Sequence, residues 1–130
     1  MRKIKIAQIG TSKTSHGNDI FSSLLKNNHM FEVIGYCFPE NEKEKFPNKI
    51  LTFENSREIT LEEILNNPEI EAVAIETEES YLTKYALLAA KHNKHIHMEK
   101  PGGLSLKDFT ELIEIQKKNN KVFHMGYMYR

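Results

Sequence analysis

Cysteine is almost absent from this sequence of 130 residues, and neither sign of charge is in excess. The single cysteine, Cys37, excludes a disulfide framework or a cysteine-based zinc site within the chain. Lysine and arginine together number 18, as do aspartate and glutamate, so the formal net charge is zero. A general surface for nucleic acid or for an acidic membrane needs a basic excess. The composition therefore predicts neither of these partners.

Long apolar runs are also missing. A membrane-spanning helix needs about 20 mostly apolar residues in succession, and no stretch of the sequence approaches this length. The N-terminal residues 1–6 carry charges where a signal peptide has its apolar stretch. We therefore expect a cytoplasmic protein, in which Cys37 is a small buried hydrophobe.

What the sequence does contain is an alternation of short β-type runs and amphipathic helical patterns. The predicted strands are residues 3–9, 31–38, 51–53, 72–75, 95–99 and 121–128. Helices are predicted at residues 18–27 and 79–93. Two more are predicted to begin after Thr60, which forms a capping box with Glu63, and after Ser105. The charged segment 40–49, which holds Pro47, is predicted to be a solvated loop.

This order of elements is typical of βαβ units, in which parallel strands are covered by helices on both faces. We predict an α/β fold with a doubly wound parallel sheet of about six strands. All of residues 1–130 are assigned to one Rossmann-type domain. In such sheets ligands bind outside the carboxyl ends of the strands, so these ends are the candidate site.

The first strand end, residues 10–17, has the context of a loop that binds a pyrophosphate. It follows a strand and precedes a helix, whose free N–H groups favour an anion. Of the glycines in Gly-x-Gly-x-x-Gly the loop keeps the first, and serines take the other two places. The predicted cofactor-binding residues of this loop are Gly10, Thr11, Ser12, Ser15 and His16. The alternative is a Ser/Thr-rich turn that caps a helix, with His16 facing solvent.

The second strand end should supply an acidic residue for the ribose hydroxyls of a dinucleotide. Phe38 occupies the expected position, and Glu40 lies two residues further on. We predict that Glu40 serves this role. No arginine follows to recognise a 2′-phosphate, so the sequence favours NAD over NADP.

The end of the predicted strand 95–99 carries a Glu99–Lys100 pair, followed by Pro101 and two glycines. A turn explains the proline and the glycines, but it does not explain a charged pair at the mouth of a parallel sheet. A lysine there can polarise a hydroxyl or carbonyl of a small-molecule substrate. The alternative is a surface lysine paired with Glu99.

Five segments carry a resemblance to a known family: residues 6–10, 71–77, 86–90, 95–101 and 126–130. With these segments the chain resembles the N-terminal half of the Gfo/Idh/MocA (glucose–fructose oxidoreductase, inositol dehydrogenase and rhizopine-catabolism) oxidoreductases. In that family the lysine of Glu-Lys-Pro approaches the substrate and the nicotinamide, which implies a catalytic role for Lys100. We add Thr77, Glu99 and Pro101, at the same strand ends, to the predicted cofactor-binding residues.

The resemblance also implies an NAD(P)-dependent oxidoreductase that acts on a sugar- or polyol-like substrate. Most substrate contacts belong to a second domain, which we expect outside this chain, so the chain alone should be inactive. Self-association is a further expectation. Glu78 and Glu79 replace a proline and an asparagine that are usual in the family, and with Glu76 they should repel an anionic cofactor unless they face solvent.

Two other functions stay open at this stage. One is a non-catalytic module that binds a dinucleotide or another ligand through a degenerate loop, and the other is a scaffold domain. A metal site is not predicted. His95 and His97 share one face of a strand, but no third ligand has suitable spacing.

Overall fold

The apolar runs of the sequence form a parallel sheet. The computed structural model describes residues 2–12, 17–99 and 106–126, except the side chains at 49, 50, 125 and 126. Within these residues the strands are β1 (Ile4–Ile9), β2 (Phe31–Cys37), β3 (Ala72–Ile75), β4 (His95–Glu99) and β5 (Phe123–Gly126). They lie in the order β2-β1-β3-β4-β5, and every neighbouring pair is parallel.

Helices connect these strands in the predicted alternation. They are α1 (Gly17–Lys26), α2 (Glu42–Lys45), α3 (Leu61–Asn66), α4 (Leu82–Lys91) and α5 (Leu106–Lys118). Two 3₁₀ helices, Pro47–Phe53 and Glu79–Tyr81, precede α3 and α4. Within the described residues, no helix has the length and apolarity that a membrane crossing requires.

The two faces of the sheet carry different helices. In β1, Ala7 and Ile9 belong to the main apolar core, together with Leu82 of α4 and Leu112 of α5. Because successive side chains of a strand alternate, Gln8 points to the opposite face, where its amide nitrogen donates to the carbonyl oxygen at the start of α1. Helices therefore cover both faces, which confirms the doubly wound α/β architecture.

The start of α3 shows the predicted capping box. The backbone N–H of Glu63 donates to Thr60 Oγ1 at 3.0 Å, and the carboxylate of Glu63 accepts from the Thr60 N–H at 3.3 Å. These two bonds satisfy donors that a helix start otherwise leaves free. The helix ends at Asn66, close to Pro68, as the sequence predicts.

The prediction of a strand at residues 51–53 is wrong. These residues end a 3₁₀ helix that begins at Pro47, whose fixed φ and missing N–H suit a first helical position. Phe53 is fully buried, and its ring centroid lies 4.4 Å from that of Phe21 on α1. Aromatic packing thus holds this segment. Further along the chain, Glu58 forms an isolated parallel bridge with Tyr36 of β2.

The prediction of a solvated loop over residues 40–49 is also wrong. Residues 42–45 form the single helical turn α2. Three of its four side chains are exposed, whereas Glu42 is buried, with 1% of its surface exposed. Cys37, in contrast, is a free, buried thiol as predicted, and burial raises its pKa to about 12.

Candidate functional site

The strand order places a switch point between β1 and β3. The chain leaves β1 for β2 on one side and later returns to β3 on the other. Open α/β sheets bind ligands at the carboxyl ends of the strands beside such a point. Gly10 follows β1 there, and Glu76 and Thr77 follow β3, with the Glu76 N–H donating to the Ile9 carbonyl at 2.9 Å.

The predicted site residues divide into two groups. Those within the described residues are Gly10, Thr11, Ser12, Glu40, Thr77 and Glu99. Those outside the described residues are Ser15, His16, Lys100 and Pro101. Gly10, Thr11, Ser12 and Thr77 lie where the ends of β1 and β3 meet.

Gly10 makes the closest approach between the two strand ends. Its φ is +90°, a conformation that favours glycine. A Cβ on Gly10 would lie 2.5 Å from Thr77 Cγ2 and 3.0 Å from Thr77 Cα. The Gly10 N–H donates to the Cys37 carbonyl at 2.8 Å, which also joins this residue to the end of β2. Three strand ends therefore meet at a position that only glycine fits.

Gln8 holds the loop that follows Gly10. Its side-chain amide is fully buried and donates to the carbonyl oxygens of Gly10 and Gly17, both at 3.0 Å. These oxygens lie at the two ends of the predicted phosphate loop, so one side chain fixes the span of the loop. Sequence reasoning missed Gln8, although a polar residue inside an apolar strand is an informative signal.

The first side chains of the loop point inward. Thr11 is fully buried, and its hydroxyl donates to Asn18 Oδ1 at 2.8 Å. The Asn18 side-chain amide in turn donates to Thr52 Oγ1 at 2.8 Å. Ser12 is also buried. At the start of the loop the hydroxyl side chains of Thr11 and Ser12 are thus turned into the protein.

Glu42 is a site residue that sequence reasoning missed. Its Oε1 accepts from the Thr11 backbone N–H at 3.0 Å, and the carboxyl is almost completely buried. Oε2 has no hydrogen-bond partner among the described residues. Burial raises the pKa of Glu42 to about 8, against the opposing effect of the Thr11 N–H. The run Glu-Lys-Glu-Lys gives no sign that its first residue turns inward.

Phe38 and Pro39, which directly follow β2, are apolar. Phe38 packs on Tyr36 and Phe53, with ring centroids 5.0 and 4.9 Å away. Glu40 Oε2 accepts from Lys84 Nζ at 2.8 Å and from the Tyr85 hydroxyl at 2.6 Å, both on α4. These bonds, led by Lys84, lower the pKa of Glu40. Its role in ribose binding stays a prediction.

The three glutamates after β3 differ in their surroundings. Glu76 is fully buried, and neither carboxyl oxygen has a hydrogen-bond partner among the described residues. Burial, followed by the charge of Glu99, raises its pKa to about 8, which favours the neutral acid near pH 7. Glu78 pairs with Lys45 at 3.1 Å, and Glu79 is exposed. Repulsion of an anion at this edge is therefore weaker than the sequence suggests.

Two histidines meet beside Glu76 on β4 and β5. The Nδ1 atoms of His97 and His124 are 2.8 Å apart, and His97 Nε2 lies 3.8 Å from Glu76 Oε2. Burial lowers the pKa of His97, with a further contribution from His124. His95 and His97 share a face, as predicted, while Ile96 is buried on the other. Within the described residues, no group of three His, Cys, Asp or Glu side chains could hold a metal.

Two cavities lie away from the switch point. One of about 410 Å³ lies over the face that α1 covers, and its lining includes Ile6, Leu24, Ala74 and His97. The other, of about 460 Å³, adjoins the end of β2 and the start of α3. The first is almost wholly apolar and carries none of the predicted site residues, so we place the candidate site at the strand ends.

A parallel sheet with a glycine-started loop at its switch point defines a Rossmann-type domain. The sequence model of the Gfo/Idh/MocA family, described as an oxidoreductase family with an NAD-binding Rossmann fold, matches residues 4–127. The chain therefore belongs to this family, which confirms the resemblance found in the sequence.

Individual relatives are much longer than this chain. An uncharacterized oxidoreductase of Streptococcus pneumoniae serotype 4 is 30% identical over 69 residues, which are 53% of this chain and 19% of that protein. The WlbA dehydrogenase of Chromobacterium violaceum, solved with NADH and UDP-GlcNAcA, matches with a TM-score of 0.78 and 20% identity over 97% of this chain and 35% of that one. A UDP-N-acetylglucosamine 3-dehydrogenase of Acidithiobacillus ferrooxidans matches with a TM-score of 0.73 and 20% identity. The match covers 97% of this chain and 39% of that one. At these identities the two structures show a shared fold.

The first prediction concerns the contact between Gly10 and Thr77. Gly10→Ala should lower the free energy of unfolding by about 1–3 kcal/mol, because the new Cβ meets Thr77 and the positive φ is strained. Urea unfolding followed by circular dichroism measures this. In a Thr77→Ser background, which lacks Cγ2, the same substitution should cost less. A Gly10→Ala protein as stable as the parent would contradict the geometry.

The second prediction concerns Glu76 and pH. The pKa of Glu76 is about 8 in the folded protein and ordinarily 4.5, so its contribution to stability is complete below pH 4.5 and is lost as the pH rises through 8. The free energy of unfolding should therefore fall between pH 5 and 8. Glu76→Gln should make this slope shallower by up to about 1.4 kcal/mol per pH unit. Glu79→Gln, at an exposed position, is the control, and an unchanged slope in Glu76→Gln would refute the buried-acid account.

Proposed function

We propose that this chain is the cofactor-binding half of an NAD-dependent oxidoreductase that acts on a sugar- or polyol-like small molecule. The observation that carries the proposal is the approach of Gly10 to Thr77 at the switch point, where a Cβ would not fit. A glycine there permits the tight turn that leads from β1 into a pyrophosphate loop. The family match over residues 4–127 supports the same cofactor.

The residues at the strand ends fit a dinucleotide in two respects. Gln8 bonds to the carbonyl oxygens of Gly10 and Gly17, and Asn18 accepts from Thr11, so the two described ends of the loop are held before a pyrophosphate binds and lose little conformational entropy. The carboxyl of Glu42 keeps a buried oxygen without a described partner beside the Thr11 N–H. The bound nicotinamide would supply or accept the hydride, and the chain's own residues would bind and orient it.

Lys100 is the residue that we propose for contact with the substrate. It follows Glu99, which lies at the carboxyl end of β4, on the same edge of the sheet as Gly10 and Thr77. A lysine ammonium there can donate a hydrogen bond to a substrate oxygen and stabilise the charge that develops on it. The Glu-Lys-Pro sequence, typical of the family, supports this assignment.

The proposal of a sugar- or polyol-like substrate is supported by relatives of this chain and not by its own side chains. Two structural neighbours are dehydrogenases named for, or solved with, sugar nucleotides. Both are longer, and this chain matches 35% and 39% of their lengths. We propose that a second half supplies the substrate contacts and excludes water, so that residues 1–130 alone are inactive.

One observation favours a second candidate, a non-catalytic module that binds a dinucleotide. The Thr11 N–H already donates to Glu42, and Glu40 already accepts from two donors on α4. A crevice so occupied binds a cofactor more weakly than an open one. Turnover by the protein that carries both halves would exclude this candidate.

The third prediction is that the chain binds NAD weakly and binds NADP more weakly still. Phe38 replaces the strand-end acid, and no arginine follows it to pair with a 2′-phosphate. Calorimetric titration with each cofactor measures both affinities. Tighter binding of NADP would overturn the selectivity, and no binding of either at millimolar concentration would favour a scaffold function.

The fourth prediction is that Lys100→Met lowers turnover about a hundredfold or more in the protein that carries both halves, the usual scale for a positioned proton-transfer group. Affinity for NAD and thermal stability should change little. Lys107→Met, at an exposed position of α5, is the control. Turnover within about twofold of the parent would remove Lys100 from the mechanism.

A further inference from the structure

We propose that Glu76, His97 and His124 form a proton relay, through which a buried acid beside the dinucleotide crevice exchanges its proton with solvent. The charge of this acid then makes the binding of NAD depend on pH. This second step rests on the proposed function, because it assumes that NAD binds at the switch point. The relay itself assumes no ligand.

The three side chains follow one another across the sheet. Glu76 comes directly after β3, and His97 and His124 are paired residues of β4 and β5. His97 Nε2 lies 3.8 Å from Glu76 Oε2, and the Nδ1 atoms of the two histidines are 2.8 Å apart. The two rings are stacked, with centroids 4.9 Å apart. A row of groups that can exchange protons thus runs from the end of β3 to β5.

Burial decreases along this row. Glu76 is fully buried, His97 is partly buried and His124 is exposed. Glu76 Oε2 and His97 Nε2 are both buried and lack a hydrogen-bond partner among the described residues, which is costly. Side-chain rotation that closes the gap between them by about 1 Å makes each the partner of the other. The histidines are therefore the route by which the Glu76 proton reaches water.

The short distance between the two Nδ1 atoms restricts where hydrogens can lie. One of these atoms carries a hydrogen and donates it to the other. Burial, followed by His124, lowers the pKa of His97, so its ring is uncharged near pH 7. If His97 Nδ1 is the donor, its Nε2 is a bare acceptor for the acid proton of Glu76. If His124 Nδ1 is the donor, His97 carries its hydrogen on Nε2 and donates it to the Glu76 carboxylate.

One shift of three protons converts the first arrangement into the second. The Glu76 proton passes to His97 Nε2, the hydrogen on His97 Nδ1 passes to His124 Nδ1, and the hydrogen on His124 Nε2 passes to water. Both histidines stay uncharged, and Glu76 becomes a carboxylate, so one proton has left the protein. The reverse shift brings a proton from water back to Glu76.

The groups around the relay set the pH at which this shift occurs. Burial, followed by the charge of Glu99, raises the pKa of Glu76 to about 8, so the acid keeps its proton near pH 7. His95 lies on the same face of β4, and burial, followed by Lys121, lowers its pKa. The lining that β1, β3 and α1 give the cavity on this face is uncharged. The charged residues of α1, Asp19 and Lys26, are exposed.

The relay affects NAD because Glu76 lies at the switch point. Its N–H donates to the Ile9 carbonyl at 2.9 Å, and the next residue, Thr77, meets Gly10. A neutral acid at this position tolerates a negatively charged pyrophosphate, whereas a carboxylate repels it. The affinity for NAD should therefore fall as the pH rises through 8.

The nitrogen chemical shifts of the histidine rings, followed from pH 7 to pH 9 in the isotopically labelled chain, test the relay. At pH 7 the hydrogen of His97 should lie on Nδ1 and that of His124 on Nε2. Near pH 8 both should exchange together, to Nε2 of His97 and Nδ1 of His124. Glu76→Gln should keep the first arrangement at pH 9, because its amide donates to His97 Nε2 at any pH. Glu79→Gln, at an exposed position, is the control and should exchange like the parent.

A second variant interrupts the relay and keeps the acid. In His97→Phe the hydrogen of His124 should stay on Nε2 from pH 7 to pH 9, because no ring nitrogen then faces its Nδ1. Thermal unfolding of each variant checks that it is folded. Exchange at His124 that persists in this variant would show that His124 responds to pH by itself, and would overturn the relay.

Calorimetric titration with NAD at the same two pH values tests the consequence for binding. The parent should bind NAD about fourfold or more weakly at pH 9 than at pH 7. Glu76→Gln should bind NAD equally well at both, because its side chain cannot ionise.

The outcomes separate the relay from the function beneath it. Ring hydrogens that stay in place in the parent, or that also exchange in Glu76→Gln, would overturn the relay. Ring exchange with an affinity for NAD that does not change with pH would overturn the effect on NAD. No binding of NAD at either pH would overturn the proposed function, whereas the ring exchange would still decide whether the relay exists.

Discussion

The contact between Gly10 and Thr77 is the constraint on which the rest of the site depends. It brings the ends of β1 and β3 within van der Waals distance, because glycine presents no Cβ to the threonine. The Gly10 N–H bond to Cys37 adds the end of β2 to the same junction. Gln8 then fixes both ends of the loop that leaves this junction. The junction that precedes the loop is thus held by backbone contacts and by one buried side chain.

Buried carboxyls give this site an unusual charge balance. Glu42 and Glu76 both lie beside the crevice, and burial raises the pKa of each to about 8. At neutral pH both are therefore largely uncharged acids, and they repel an anionic ligand less than their number suggests. The partly buried carboxylates Glu40 and Glu78 are paired with lysines instead. The acidic residues around the site are thus compatible with a dinucleotide, although the sequence alone argues against it.

The fold could be predicted because its signals are local. The alternation of apolar runs predicts the order of strands and helices along the chain. The Thr60–Glu63 capping box predicts where α3 begins. The errors arise where distant packing overrides local pattern. Phe53 ends a 3₁₀ helix and packs against Phe21 of α1, which is distant in the sequence. Glu42 belongs to a charged run whose other members face solvent, so its inward turn follows from tertiary contact with Thr11.

The central claim is that NAD binds at the carboxyl ends of β1 and β3. Amide chemical shifts of the isotopically labelled chain, followed during a titration with NAD, locate the binding site without assuming turnover. The account predicts that the amides of Thr11, Ser12 and Thr77 shift most and saturate together. Shifts concentrated instead around Ile6, Leu24 and Ala74, which line the apolar cavity under α1, would contradict it.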